Sequence, residues 1–164
     1  MLNFFKKNFY INILIVISIF VLDRVTKIYV INFYDNNKGN DLLNSEYLNI
    51  RLIWNEGIAF GLFSFNQEFF YNSLTFLIGA VITIIFFMIR KNTGMKKYSL
   101  LMILGGAIGN FYDRVFFKAV ADFLDFHIGN FHWFIFNVSD IFISVGVTVM
   151  IFMELTIKKD ENAI

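Results

Sequence analysis

The chain has no cysteine, no proline and little charge. Only 16% of its 164 residues are Asp, Glu, Lys or Arg, against roughly 25% in an ordinary soluble domain. Without cysteine there is no disulfide framework, no thiolate metal site, no cysteine nucleophile and no cysteine-borne lipid anchor. A net charge of +1 gives no electrostatic ground for a nucleic-acid partner. What abounds is apolar surface: 57% of residues are hydrophobic and the mean hydropathy is +0.62. A small domain leaves much of its surface exposed, so this excess cannot be hidden in an aqueous fold, and it excludes disorder. The chain reads as one integral membrane domain over residues 1–164.

A membrane-spanning helix needs ~20 mostly apolar residues. Four stretches qualify. Residues 9–31 are interrupted by Asp23, Arg24 and Lys27; residues 69–89 carry no charge; residues 98–117 hold Asp113 and Arg114; residues 134–157 hold Asp140 and Glu154. Lys6 and Lys7 before an apolar run resemble a secretory signal peptide. Asp23 and Lys27 stand where its small-residue cleavage site would be, which reads as a retained signal anchor. In a four-span chain Lys6, Lys7, Arg90, Lys91, Lys96, Lys97, Lys158 and Lys159 share one side, and the positive-inside rule makes that side cytoplasmic. Both termini are then inside, and the segments 32–68 and 118–133 outside. Residues 48–52 alternate apolar and polar like a half-buried strand. Residues 123–128, Gly129-Asn130 and 131–134 read as a hairpin with a two-residue turn. The expected fold class is membrane all-α: a four-transmembrane-helix bundle with a small extracytoplasmic β-structure resting on it.

Ionisable residues inside a span are costly, by roughly 2.5–3.5 kcal/mol on insertion scales, and mark functional candidates. At ~1.5 Å rise per residue, Asp23, Asp113 and Asp140 lie roughly 21, 22 and 25 Å from the cytoplasmic end of their helices. Three carboxylates thus share one level near the outer edge of the hydrocarbon. Asn110 with Asp113, and Asn137 with Asp140, are spaced i, i+3 and share a helix face. Two carboxyls facing each other across a dry cleft share one proton, because like charge and desolvation disfavour double ionisation. One then acts as base on a water while the other polarises a carbonyl, with no metal or cofactor needed. Plainer readings stand beside this. Asp23 and Lys27 suit a helix-end salt bridge, Asp113 and Arg114 a boundary pair, and Asn137 with Asp140 a helix cap. His127 and His132 lack a motif such as H-E-x-x-H and read as interfacial histidines, so no metal is expected.

Five segments in chain order resemble the boxes of one family, the lipoprotein signal peptidases or signal peptidase II. They are Asp23-Arg24-Val25-Thr26-Lys27, Asn55-Glu56-Gly57-Ile58-Ala59-Phe60-Gly61, Gly105-Gly106-Ala107-Ile108-Gly109-Asn110-Phe111-Tyr112-Asp113-Arg114, Val120-Ala121-Asp122-Phe123 and Phe136-Asn137-Val138-Ser139-Asp140. The resemblance implies an aspartyl endopeptidase of the bacterial cytoplasmic (inner) membrane. It would remove the signal peptide from diacylglyceryl-modified prolipoproteins, cutting just before the lipidated cysteine at the outer face. It implies Asp113 and Asp140 as the catalytic pair, with Asp23, Lys27, Asn55, Gly57, Asn110, Arg114 and Asn137 supporting or binding substrate. It further implies contact with membrane lipid and inhibition by the cyclic peptide globomycin. Three departures stand out: Arg24 where Gln is common, Ser139 where Ala is usual, and no Pro before the Phe136-Asn137 box. The small residues Gly105, Gly106, Ala107 and Gly109 are expected to admit a peptide between spans. The rival reading is a small proton-coupled transporter using the same acids.

Overall fold

The structure is a computed structural model that describes residues 2–57 and 67–161, with side chains at 9–57 and 68–156. The element order is α1 (Leu2–Asn36), β1 (Leu48–Asn55), α2 (Gln67–Lys91), α3 (Gly94–Phe117), β2 (Val120–Ile128), β3 (Phe131–Phe136) and α4 (Val138–Glu161). The Ile58-Ala59-Phe60-Gly61 half of the second box lies outside the described residues, as do the side chains of Lys6, Lys7, Lys158 and Lys159.

Among the described residues, three helices are long and apolar enough to cross a membrane, over Glu68–Lys91, Gly94–Phe117 and Val138–Thr156. The longer α1 has its apolar stretch interrupted at Asp23, Arg24 and Lys27. Its pattern is nonetheless inside-out. Ile19, Asp23, Lys27 and Val30 are buried, while Leu14, Val21, Val25 and Tyr29 are exposed. The spacing of the buried set is that of one helix face, so α1 turns Asp23 and Lys27 inward with Ile19 and Val30 and leaves much of its apolar surface outward. On α2, Phe76 is 80% exposed and Ile84 58%. Apolar surface on this scale marks contact with an apolar environment.

Helix α3 packs against each of the other three helices. Ile85 and Ile89 of α2 form one buried cluster with Leu100, Leu101 and Leu104 of α3. The small residues of α3 serve helix packing. A Cβ on Gly105 would come 2.9 Å from Ile19 Cβ, and one on Gly106 would come 2.9 Å from Ile143 Cγ1. The gap expected to admit a peptide is therefore filled by α1 and α4, because in a bilayer small residues gain most by letting backbones approach.

The chain leaves α3 through Lys118, a left-handed C-cap at φ 59°, and passes directly into the sheet. The sheet is antiparallel with order β1-β2-β3. Asn55 pairs with Val120, Leu48 with Phe126, and Ile128 with Phe131 across the Gly129-Asn130 turn. Both strands of the hairpin are longer than the expected 123–128 and 131–134. Phe136 pairs with Leu124 and Ile135 with Asp125, so residues 134–136 are strand and the last helix begins at Val138. Ladder pairing on β2 outweighs the apolar run that had suggested a helix from residue 134.

Candidate active site

Two adjoining sets of polar residues stand where the sheet meets the helix ends. The inner set joins α1 to α3. Lys27 is fully buried, and its Nζ lies 2.7 Å from Asp113 Oδ2 and 3.1 Å from Asp23 Oδ2. It also donates to Asn110 Oδ1 at 2.9 Å. Arg24 bridges the same two acids, 2.7 Å from Asp23 Oδ2 and paired with Asp113 Oδ1. Its guanidinium lies over the Tyr112 ring, 4.9 Å from the centroid. Two carboxylates and two cations thus form a balanced cluster, which is the condition for burying charge at all. The backbone N–H of Ser139 donates to Asp23 Oδ1 at 3.1 Å and that of Ala121 to Asp113 Oδ2 at 3.4 Å. The cluster therefore ties α1 and α3 to the start of α4 and to β2.

The outer set is built on the N-terminus of α4. Asn137 and Asp140 form a reciprocal capping box: the Asp140 N–H donates to Asn137 Oδ1 and the Asn137 N–H to Asp140 Oδ2, each at 3.1 Å. The other Asp140 oxygen accepts from Asn110 Nδ2 at 2.7 Å. Because Lys27 holds the Asn110 oxygen, the amide has one orientation, with its nitrogen toward Asp140. Asp122 of β2 faces the same place. Its two oxygens accept from Asn137 Nδ2 at 2.6 Å and Asn55 Nδ2 at 2.9 Å. Asn55 is itself fixed by the Gly57 N–H, which donates to its Oδ1 at 2.8 Å. Gly57 has φ +75°, and a Cβ there would come 2.9 Å from Leu74 Cδ2, so the turn that aims Asn55 suits glycine. Burial pushes the Asp122 carboxyl up to about 6, and the like charge of Asp140 pushes the same way. The amides of Asn55 and Asn137 and the charge of Lys27 pull it down.

The two sets place Asp113 and Asp140 apart: Asp113 belongs to the inner set and Asp140 to the outer. No hydrogen bond joins Asp113 to Asp140 among the described residues; Lys27 and Asn110 stand between them. An open groove of about 820 Å³ is lined by Asp140 and Asp122 together, with Asn55 at its wall, and Asp113 does not line it. Asp113 is 1% exposed, behind its two cations. The reading from spacing missed Asp122 because the residue lies on a strand, outside any span, where a carboxylate carries no insertion cost. Its signal was the Val120-Ala121-Asp122-Phe123 box. Arg24, a departure from the family's usual Gln, is a member of the inner set. Ser139 is fully buried and its Oγ has no hydrogen-bond partner. Arg114 donates to the Asn110 carbonyl at 3.5 Å and makes no ion pair among the described residues.

A family model described as signal peptidase (SPase) II matches residues 15–156. The chain belongs to the signal peptidase II family. It is 49% identical over 149 residues to a lipoprotein signal peptidase of Pelagibacter ubique (strain HTCC1062), covering 91% of this chain and 90% of that one. It is 37% identical over 155 residues to the lipoprotein signal peptidase of Anaplasma phagocytophilum (strain HZ), covering 93% and 97%. Two solved structures, each described as a bacterial membrane enzyme, superpose with TM-scores of 0.70 and 0.72 at 27% and 26% identity. They cover 91% and 88% of this chain, and 90% and 92% of theirs. As a signal peptidase II the chain is an integral membrane peptidase of the aspartic type, which removes the transporter reading.

Proposed function

We propose that this signal peptidase II removes the signal peptide from diacylglyceryl-modified prolipoproteins, cutting just before the lipidated cysteine, with Asp122 and Asp140 as its catalytic pair. The observation that carries the assignment is the groove, whose wall holds both carboxyls beside Phe126, Phe134, Ile141 and Val145. A lipidated cysteine needs apolar surface next to the bond to be cut, and water needs a route to the acids. The groove offers both.

The chemistry uses one proton between two acids. Asp122, whose carboxyl titrates at about 6, carries the proton and polarises the scissile carbonyl. Asp140 takes a proton from water, and the resulting hydroxide attacks the carbonyl carbon. The C–N bond then breaks, and a proton passes to the leaving amine of the cysteine. Asn55, Asn110 and Asn137 position the two acids. Asp23, Lys27 and Asp113 hold the helices in register beneath them. Arg114 has a buried Nε without a hydrogen-bond partner and stands near Gly57, where it binds the substrate backbone.

The membrane reading follows from charge. With α1 as a fourth span, Arg90, Lys91, Lys96 and Lys97 lie on the cytoplasmic side with both termini. The sheet and the catalytic pair then lie at the outer face of the inner membrane. The deciding experiment is mass spectrometry of the purified protein acting on lipidated and unlipidated forms of one precursor, with and without globomycin. Cleavage before the lipidated cysteine, blocked by globomycin, is the expected result. Equal cutting of both forms would count against the substrate class.

A further inference from the structure

Outside the groove's acid pair, the sheet gathers a second group of ligand-type side chains. Asp125 and His127 stand on β2 and His132 opposite on β3, with one ligand atom of each within 4.8 Å of the others. His127 and His132 are register partners, and their rings stack at 5.1 Å between centroids with 20° between planes. His132 Nδ1 lies 2.9 Å from Asp125 Oδ1. Asp125 is fully buried, whereas the His132 side chain is 40% exposed. The two histidines lack a metal-ligand motif such as H-E-x-x-H in sequence. Asp125 and His127 are i, i+2 on β2 and so share a face of the sheet, and the register sets His132 opposite His127.

We propose that Asp125, His127 and His132 form a binding site for one divalent transition-metal ion of the zinc class. Two neutral imidazoles and one carboxylate are a donor set that borderline cations prefer over calcium or magnesium. Ligands about 2.0–2.2 Å from zinc in tetrahedral array stand about 3.3 Å apart. The His132–Asp125 separation needs only a few tenths of an ångström of adjustment. Arg51 pairs with Asp125 Oδ2 at 2.9 Å, which leaves Oδ1 for the metal and fixes the carboxylate as outer-sphere partners commonly do. Three protein ligands leave a fourth position open to water at the exposed His132 edge. The ion cross-links β2 to β3 at the rim of the groove, which His127 also lines. Metal binding here is independent of the peptidase assignment and is read without any turnover assay.

The test is zinc titration by calorimetry of the full chain in detergent, purified without a histidine tag, with cobalt absorption as a second readout. One equivalent of zinc is expected, together with the visible bands of tetrahedral cobalt and a zinc-dependent rise in Tm. His132→Ala and His127→Ala should each weaken binding roughly tenfold or more, and Arg51→Gln by about tenfold. His132→Ala acts at a half-exposed site, so its metal-free Tm serves as the folding control. Absence of saturable zinc binding by the unaltered chain would overturn the proposal. So would unchanged affinity in the His127→Ala/His132→Ala double variant whose metal-free Tm matches the unaltered chain.

Discussion

The inner and outer polar sets hold the same kind of residue for opposite ends. Asp23 and Asp113 meet Arg24 and Lys27 in a sealed, charge-balanced cluster. Asp122 and Asp140 face an open groove and accept hydrogen bonds from side-chain amides and the Asn137 backbone N–H. An acid paired with buried cations holds helices together. An acid held by amides beside a like charge can exchange a proton with water. The contrast teaches that depth in a membrane helix identifies costly carboxylates without telling those sealed among cations from those facing a groove.

Replacement of the acids should break this comparison most sharply. Asp122→Asn and Asp140→Asn are each expected to lower kcat for lipidated precursor by at least about a hundredfold, the scale of general acid–base catalysis, with Tm little changed. Asp113→Asn should instead retain measurable turnover and lose Tm, because Lys27 and Arg24 are left with one carboxylate fewer. Equal loss of turnover in Asp113→Asn without any loss of Tm would reverse the two roles.

Lys27→Met leaves buried Asp23 and Asp113 undercompensated and should cost about 3–5 kcal/mol, read by thermal unfolding in detergent. The double variant Asp23→Leu/Lys27→Met keeps Arg24 with Asp113 and should recover part of that loss. Gly106→Ala places a methyl against Ile143 and the Ser139 carbonyl and should cost about 1–3 kcal/mol through helix separation.

The outer set has a pH signature. The carboxyl of Asp122 lies above its ordinary value of 3.8, at about 6, so the folded protein binds this proton more tightly than the unfolded chain. Its contribution to stability is most favourable below about pH 4 and declines as pH rises from about 4 to 6. Asn55→Ala removes an amide that favours the ionised form and should raise this value further. The descending limb of the pH–rate profile should then move to higher pH, and an unmoved limb would remove Asp122 from the protonated role. The smallest effect is expected at the exposed Lys96–Glu154 pair, 3.1 Å apart, where Lys96→Ala should change stability by at most about 1 kcal/mol.

Much of this was legible in residue order. The α2 span, the Gly129-Asn130 hairpin and the strand around residue 50 follow from local periodicity and turn chemistry, and each appears in the fold. The five boxes led to the family. Asn137 and Asp140 announced a helix cap, and the capping box leaves the other Asp140 oxygen to Asn110. The start of α4 was misjudged because Phe134, Ile135 and Phe136 are apolar in either a helix or a strand, and only pairing with β2 distinguishes them.

By itself the sequence determined that this chain is a bilayer protein with acids at one depth, since hydropathy and charge are properties of residues in order. Which of Asp113 and Asp122 lines the groove with Asp140 belonged to the tertiary structure. That choice depends on which cations α1 brings against α3, and on a turn at Lys118 that swings β2 over the N-terminus of α4. Both are contacts between segments far apart in the chain, and no local pattern encodes the distance between them.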